Sequence, residues 1–321
     1  LKKLKNILLC NKIISLVLIF TLMYVYIICN LNINIDVNNT EFNGIVEDIK
    51  YDTNKIQIYI GGKELLLANK YNFDDKFIDS IKIGYKVKVL GKVNIPNSNT
   101  NFNNFNYKNY LLSKKIRFTV TIDKLEIIDT KQTVLYIIKD TLKNYLLENK
   151  EYPYLNAFIL GDTSYLNESV KDSYLKNGIS HLFSVSGMHI GFLSSIILIL
   201  LNKINKNKNL NHVILFAFLI FYAFLVGFTP SVMRSVIFMI LLFLKRKFNI
   251  NISTFKLFIF MTCLFLIYNP YYIYSVGFMY SFTISGFLIC YSKLIQNKHY
   301  LIKVFIISLI AFLASFPISL Y

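Results

Sequence analysis

After Asp172 the sequence contains no aspartate or glutamate, and the remainder of the chain is mostly long apolar runs. No other feature limits the fold as much. A bilayer admits a chain only as helices or closed barrels, because every backbone N–H and C=O must find its partner inside the protein. The runs near 181–201, 211–228, 231–245, 254–268, 277–292 and 300–321 are therefore read as spanning helices. Several are shorter than the ~20 residues of an ordinary span, so tilted, broken or re-entrant segments are expected. One more run, Ile13 to Cys29, comes after a Lys-rich head. No small-x-small cleavage motif comes after it, so it reads as an uncleaved signal anchor.

The formal charge of +17 does not mark a nucleic-acid face. All 18 acidic residues lie between Asp36 and Asp172, and between Asp36 and Gly178 they face 20 Lys and Arg. The excess comes from 4 basic residues before Asn30 and 11 after His181. Nine of the latter 11 sit in "NKINKNKN", "KRK" and "SKLIQNKHYLIK", while the intervening turns "GFTPS" and "NPYYIYS" have no Lys or Arg. The alternation obeys the positive-inside rule. It places the N-terminus and basic connections in the cytoplasm and residues 31–180 outside. Cysteine occurs only at 10, 29, 263 and 290, without metal-ligand spacing, so an internal disulfide between Asn30 and Gly178 is excluded. The last run reaches Tyr321 without a polar flank, as expected of a chain that continues.

Residues 31–130 change period. "FNGIVEDIKYDTNKIQIYIGG", "IKIGYKVKVLGKV" and "RFTVTIDKLEII" alternate apolar and polar residues, with glycines between runs. About five short strands point to a small barrel such as an OB-fold, with a small sandwich as the competing arrangement. From 131 to 180 the apolar residues Leu135, Ile138, Leu142, Tyr145 and Leu146 recur at helical spacing among charges. Such helices are too polar to span and suit the membrane–water boundary or the flank of a bundle. The expected fold is thus a polytopic α-helical membrane protein with a small all-β, OB-like extracytoplasmic domain. Its parts are a signal anchor (1–30), a β domain (31–130), interfacial helices (131–180) and a multi-span domain (181–321).

Polar residues inside the apolar region are the functional candidates, because each must find a partner there. "HLFSVSGMHIGF" holds His181, Ser184, Ser186, Gly187, His189 and Gly191. Read as the entrance of a helix from His181, it is a break, a close helix contact, or a lining of a substrate path. Catalysis by Ser186 is disfavoured, because His212 and His299 belong at the opposite membrane face and no carboxylate lies downstream to orient a base. A metal site is disfavoured by the eight-residue gap between His181 and His189. In "GFTPSVMR", Thr229 is a candidate N-cap, Pro230 suits the first helical position, and Arg234 lies one turn in. Arg234 either snorkels or presents a cation to an anion near a helix N-terminus. Gly161, Asp162, Asn269, Pro270 and Gly277 are candidate turns and breaks.

These stretches resemble the ComEC family of competence proteins. "FNNFNYKNYLLSKKI" resembles the family's Phe-Asp-Tyr-x-x-Tyr-Leu segment, with Asn106 for Asp. "AFILGDTSYLNESVKDSYLKNGISHLFSVSGMHIGF" resembles its long signature, including Gly161–Asp162 and His-x-x-x-x-Ser-Gly-x-His. "GFTPSVMRSVIF" is similar to its Pro-x-x-x-Arg turn, and "NPYYIYSVGFMYSFTISG", containing Ser281, to its Asn-Pro…Gly-Phe-Gln-x-Ser-Phe stretch with Met279 for Gln. The resemblance implies a cytoplasmic-membrane channel that passes single-stranded DNA during natural transformation. Its implied path residues are His181, Ser184, Ser186, Gly187, His189, Arg234 and Ser281. The implied partners are single-stranded DNA, the lipid bilayer, proteins of the uptake machinery and a second copy of the chain. No cofactor is implied. Many relatives carry a C-terminal metallo-β-lactamase-like domain, but its His/Asp motif has no counterpart here, so no enzymatic activity is expected of this chain. Two alternatives stay open: a non-conducting membrane assembly whose outer β domain docks a partner, and an intramembrane hydrolase.

Overall fold

The computed structural model describes residues 2–31, 41–52, 55–61, 65–70, 80–97, 106–147, 153–177, 183, 185–296 and 298–319. The chain divides into two compact units, one of residues 33–185 and one of residues 1–32 with 186–321.

The first unit is built on five strands, β1 (Glu41–Asp52), β2 (Lys55–Gly61), β3 (Leu65–Lys70), β4 (Lys86–Asn94) and β5 (Ile116–Asp129). They pair in the order β1-β2-β3-β5-β4, and β4 pairs back onto β1, closing a barrel. All pairs are antiparallel except β3 with β5. The period-2 pattern explains the packing. Along β4, Val87 and Val89 are fully buried while Lys86 and Lys88 point outward or to the margin. They join Val46, Ile49, Ile58, Ile60, Phe118, Val120 and Ile122 in one core. Helix α2 (Tyr107–Ser113) precedes β5, capped by Asn106, whose side chain accepts from the Asn109 N–H.

Among the described residues the unit also has three further helices, α3 (Val134–Leu147), α4 (Pro153–Leu160) and α5 (Glu168–Lys176). Helix α3 meets the barrel with its polar side. Asp140 Oδ1 accepts from the Ile83 N–H at 3.1 Å, and Lys139 Nζ donates to the Glu47 carbonyl at 3.0 Å. Lys143, 6 % exposed, donates to Asp48 Oδ1 at 2.7 Å and to the Ile49 carbonyl at 2.6 Å. Asp48 is available because β1 bulges between Val46 and Asp48, which re-aims the next side chain. Lys143 also pairs with Asp162 Oδ2 at 3.4 Å. Asp162 comes directly after Gly161, whose φ of +72° turns the chain out of α4. Its other oxygen accepts from the Ser164 N–H and hydroxyl. One ammonium thus ties together a strand, a helix and a turn.

The charges in this triad set its pH window. Burial raises the Asp48 carboxyl, but the Lys143, Lys139 and Lys50 charges outweigh it and hold it below its ordinary value. Burial lowers the Lys143 ammonium, but Asp48 and Asp162 outweigh it and hold it above its ordinary value. A depressed carboxylate stabilises the fold above its unfolded value and loses that contribution as pH falls through the folded one. A raised ammonium stabilises below its unfolded value and loses the contribution as pH rises through the folded one. The barrel unit should therefore weaken below about pH 4 and above about pH 10. Lys143→Met should cost about 3–5 kcal/mol by leaving two carboxylates uncompensated. Adding Asp48→Asn and Asp162→Asn should recover most of that loss. Amide hydrogen exchange across β1 and α3 in the intact chain reads both effects.

The second unit is helical. It comprises α1 (Lys2–Asn30), α6 (Gly187–Ile204), α7 (Lys208–Leu225), α8 (Pro230–Lys247), α9 (Thr254–Tyr268), α10 (Val276–Cys290), the short α11 (Ser292–Gln296) and α12 (Tyr300–Ser319). Among the described residues, α6, α7 and α12 are long and apolar enough to cross a membrane; 14–30, α9 and α10 are shorter apolar helices. Val25 of α1 packs with Phe258, Met261, Phe265, Phe278 and Phe282 of α9 and α10. Helices α6, α7 and α8 pack mutually, with Ile190, Leu215, Leu219, Ala223, Val232 and Val236 all buried. Turns are closed by local caps. Asn207 accepts from the N–H groups of Asn209 and Leu210, and buried Asn211 donates to the Asn202 side chain and the Asn205 carbonyl. Asn269 and Ser275 frame a 3-10 turn over Pro270–Tyr274, accepting from the Tyr271 and Phe278 N–H groups.

Three expectations need correction. The first apolar helix after the barrel unit starts at Gly187 rather than His181, because Ser186 caps it. Gly191 is neither a break nor a close contact: α6 runs unbroken through it, and a Cβ there would meet nothing within 4 Å. Gly277 likewise lies inside the first turn of α10, with only Ser275 Oγ at 4.0 Å from such a Cβ.

Candidate functional site

The site assembles at one end of the helical unit, where the start of α6, the first turns of α8 and the second turn of α10 meet. Ser186 has an extended backbone (φ −110°, ψ 170°) and forms a capping box with His189, three residues on. His189 Nδ1 accepts from the Ser186 N–H at 3.1 Å and lies 2.9 Å from Ser186 Oγ. An Nδ1 that accepts a backbone N–H carries no proton, so this geometry requires the neutral ring with its hydrogen on Nε2. Histidine thus takes the place of the glutamate or glutamine common in such boxes. It satisfies a helix terminus without adding negative charge.

Arg234 lies in the second turn of α8. Its Nε donates to Ser281 Oγ at 2.7 Å, and its Nη2 to Ser235 Oγ at 3.3 Å. Ser235 Oγ in turn donates to the Ser231 carbonyl at 3.0 Å. The guanidinium also lies over the start of α6: a Cβ at Gly187 would sit 2.8 Å from Arg234 Nη2 and 2.7 Å from Ser235 Oγ. Only glycine leaves that space. Two electropositive features therefore adjoin, a guanidinium and the N-terminal end of a helix. The hydroxyl partners orient the guanidinium without neutralising it, and this unit of the chain contains no aspartate or glutamate at all. The chemistry such an arrangement offers is attraction and alignment of an anion.

The polar residues singled out in the sequence do not all converge. Ser186, Gly187, His189, Arg234 and Ser281 do, and Ser235 joins them. His181 and Ser184 lie outside the described residues. Thr229 occupies the N-cap position of α8 with Pro230 at the first helical position, yet its side chain makes no cap hydrogen bond. Asn269 and Pro270 form the 3-10 turn, close to α1, where the Tyr271 hydroxyl donates to the Ile28 carbonyl. Gly161 and Asp162 belong to the barrel unit. Ser235 carried no signal of its own in the sequence, since its meaning depends on which face of α8 meets α6.

Residues 158–321 match the family model described as Competence protein. The chain belongs to the ComEC family of competence proteins. Among its relatives, ComE operon protein 3 of Bacillus subtilis is 27 % identical over 248 residues, which are 75 % of this chain and 32 % of that protein. Uncharacterized protein MG316 of Mycoplasma genitalium is 32 % identical over 173 residues, 52 % of this chain and 42 % of that protein. The chain therefore spans less than half the length of either relative. The matched region takes in the last residues of α4, the Gly161–Asp162 turn and every helix that builds the Arg234 cluster.

The two glycines of the "HLFSVSGMHIGF" motif give a direct test. Gly187→Ala should force Arg234 or Ser235 aside at about 1–3 kcal/mol, as overpacking does. Gly191→Ala meets open space and should be neutral or stabilising by up to about 1 kcal/mol, since alanine favours a helix. Thermal unfolding of the two variants in detergent separates the roles.

Proposed function

We propose that this chain contributes the path by which single-stranded DNA crosses the cytoplasmic membrane in natural transformation. The observation that carries the reading is Arg234, a guanidinium held by hydroxyls beside a helix N-terminus in a unit without acidic residues. A polyanion passing there meets an aligned cation and no carboxylate barrier. Membership of the competence family supports DNA uptake as the setting. Hydroxyl and helix-dipole groups contact phosphate regardless of base, which suits a substrate of arbitrary sequence.

The basic connections supply the orientation. Lys203, Lys206 and Lys208 lie at the end of the α6–α7 hairpin opposite Ser186, and Lys245, Arg246 and Lys247 close α8 at its far end from Arg234. By the positive-inside rule that end is cytoplasmic, and the Arg234 cluster opens to the outside with residues 31–180. The barrel is OB-like in this reading, supported by its strand order and the single parallel pairing of β3 with β5. Its charges nearly balance, 14 basic against 12 acidic residues between Asp36 and Asp129, so it contributes weak, salt-sensitive DNA contacts. The partners in this reading are the bilayer, single-stranded DNA, proteins of the uptake machinery and a second copy of the chain.

No catalytic step is assigned to this chain. The observation favouring a hydrolase is the 2.9 Å approach of Ser186 Oγ to His189 Nδ1. That nitrogen already accepts the Ser186 N–H, and no acidic residue exists in this unit to orient the ring. DNA uptake by cells carrying the full-length protein tests the proposal. Arg234→Gln should lower uptake strongly at unchanged protein level, and Arg234→Lys should retain part of it, because the passing phosphate reads charge before fork geometry. Ser186→Ala should lose less than Ser186→Leu. Uptake unchanged in Arg234→Gln would contradict the path, and abolition by Ser186→Ala alone would favour the hydrolase.

A further inference from the structure

Helix α3 is amphipathic in the inverted sense. In a surface helix of a soluble domain the apolar stripe faces the core and the polar stripe faces water. Here the stripe that meets the barrel holds Lys139, Asp140 and Lys143, whose side chains bond to barrel groups. The opposite stripe begins with Val134, Ile137 and Ile138, which are 71 %, 45 % and 42 % exposed, and continues into the exposed Thr141 and Asn144. Helix α4 packs on α3 and continues the pattern: it buries Asn156 and Ala157 and exposes Tyr154, Leu155 and Phe158. Exposing large apolar side chains on two successive helices while burying Lys143 is unfavourable in water. It becomes favourable if the outward face meets something apolar.

We infer that the outward face of α3 and α4 docks on the bilayer interface, with its apolar side chains inserted at the level of the headgroup–acyl boundary. Three observations choose lipid as the occupant. The unit is entered from α1 and left into α6, both apolar helices, so it is tethered at the membrane surface at both ends. The charged side chains of α3, Lys139, Asp140 and Lys143, are all committed to the barrel. The outward residues named above include no acidic group, and the apolar ones mix aliphatic with aromatic side chains, the composition that partitions into an interface. The barrel then acts as the polar partner of an interfacial helix pair, a role that water has for an isolated amphipathic helix. This surface is independent of the Arg234 reading and stands if that reading fails.

The test uses the full chain on a cysteine-free background, one copy per lipid nanodisc of mixed zwitterionic and anionic lipids. Single cysteines replace Val134, Ile138 or Leu155, with Lys124→Cys on the barrel as the water-facing control, and each is labelled with an environment-sensitive fluorophore. These positions are exposed, so the labels do not disturb the core. Labels at 134, 138 and 155 should emit at shorter wavelength than the label at 124. They should be quenched several-fold more by spin-labelled lipid than by aqueous iodide, with the reverse at 124. Iodide quenching equal to that of the control would overturn the inference by showing a water-facing surface. Protection from both quenchers would overturn it in favour of a protein occupant.

Discussion

A guanidinium inside a helical unit that offers it no carboxylate is the constraint around which the membrane part is arranged. Arg234 cannot be neutralised locally, so it is positioned instead. Ser281 on α10 and Ser235 on its own helix fix its direction, and Gly187 gives it room against the start of α6. Each of these helices must then begin at the same end of the unit and at a set depth. Local caps set those starting points. Ser186 with His189 starts α6, Pro230 starts α8, and Ser275 starts α10 after the Asn269–Pro270 turn. A histidine in the capping box and serines beside the arginine keep the neighbourhood polar without adding negative charge. Replacing any of them by a carboxylate would close the guanidinium into an ion pair.

The barrel unit solves a different problem, the fixing of a helix and a turn against a sheet, by pairing charges instead of leaving one open. Its helix α3 turns lysines and an aspartate inward, and Lys143 joins the β1 bulge to the Gly161–Asp162 turn. That turn lies near the start of the region matched by the competence family, so the β domain and the first part of that region form one body. A buried ammonium between two carboxylates fixes registry as well as stability: neither α3 nor the turn can shift by a residue without leaving a charge unpaired.

Much of this was legible along the chain, because periodicity is a local property. Lys86–Val87–Lys88–Val89 reads as a half-buried strand and is one. The apolar runs after residue 186 each form a helix, separated by polar connections such as Asn205–Asn207 and Phe248–Ser253. What stayed hidden was set by contacts that spacing alone does not reveal. The start of α6 moved from His181 to Gly187 because a side chain three residues ahead caps Ser186. Gly187 and Gly191 look alike in sequence, yet only one has a neighbour. Asp162 was recognisable as half of a Gly-Asp pair, but its partner Lys143 lies on another helix and answers first to Asp48 in the barrel. The helical period of α3 was visible, while the inversion of its faces required knowing where the barrel sits.

Site-specific cross-linking of DNA in transit shows whether the serines that hold Arg234 line its path. A photoreactive residue at position 235 or 281 of the full-length protein is illuminated while single-stranded DNA is held in mid-passage by a bulky group at its trailing end. The same residue at Leu215, buried among helices α6 to α8, is the comparison. Protein–DNA adducts are expected at 235 and 281 and none at 215. Uptake that proceeds normally with no adduct at either of the first two positions would contradict that path.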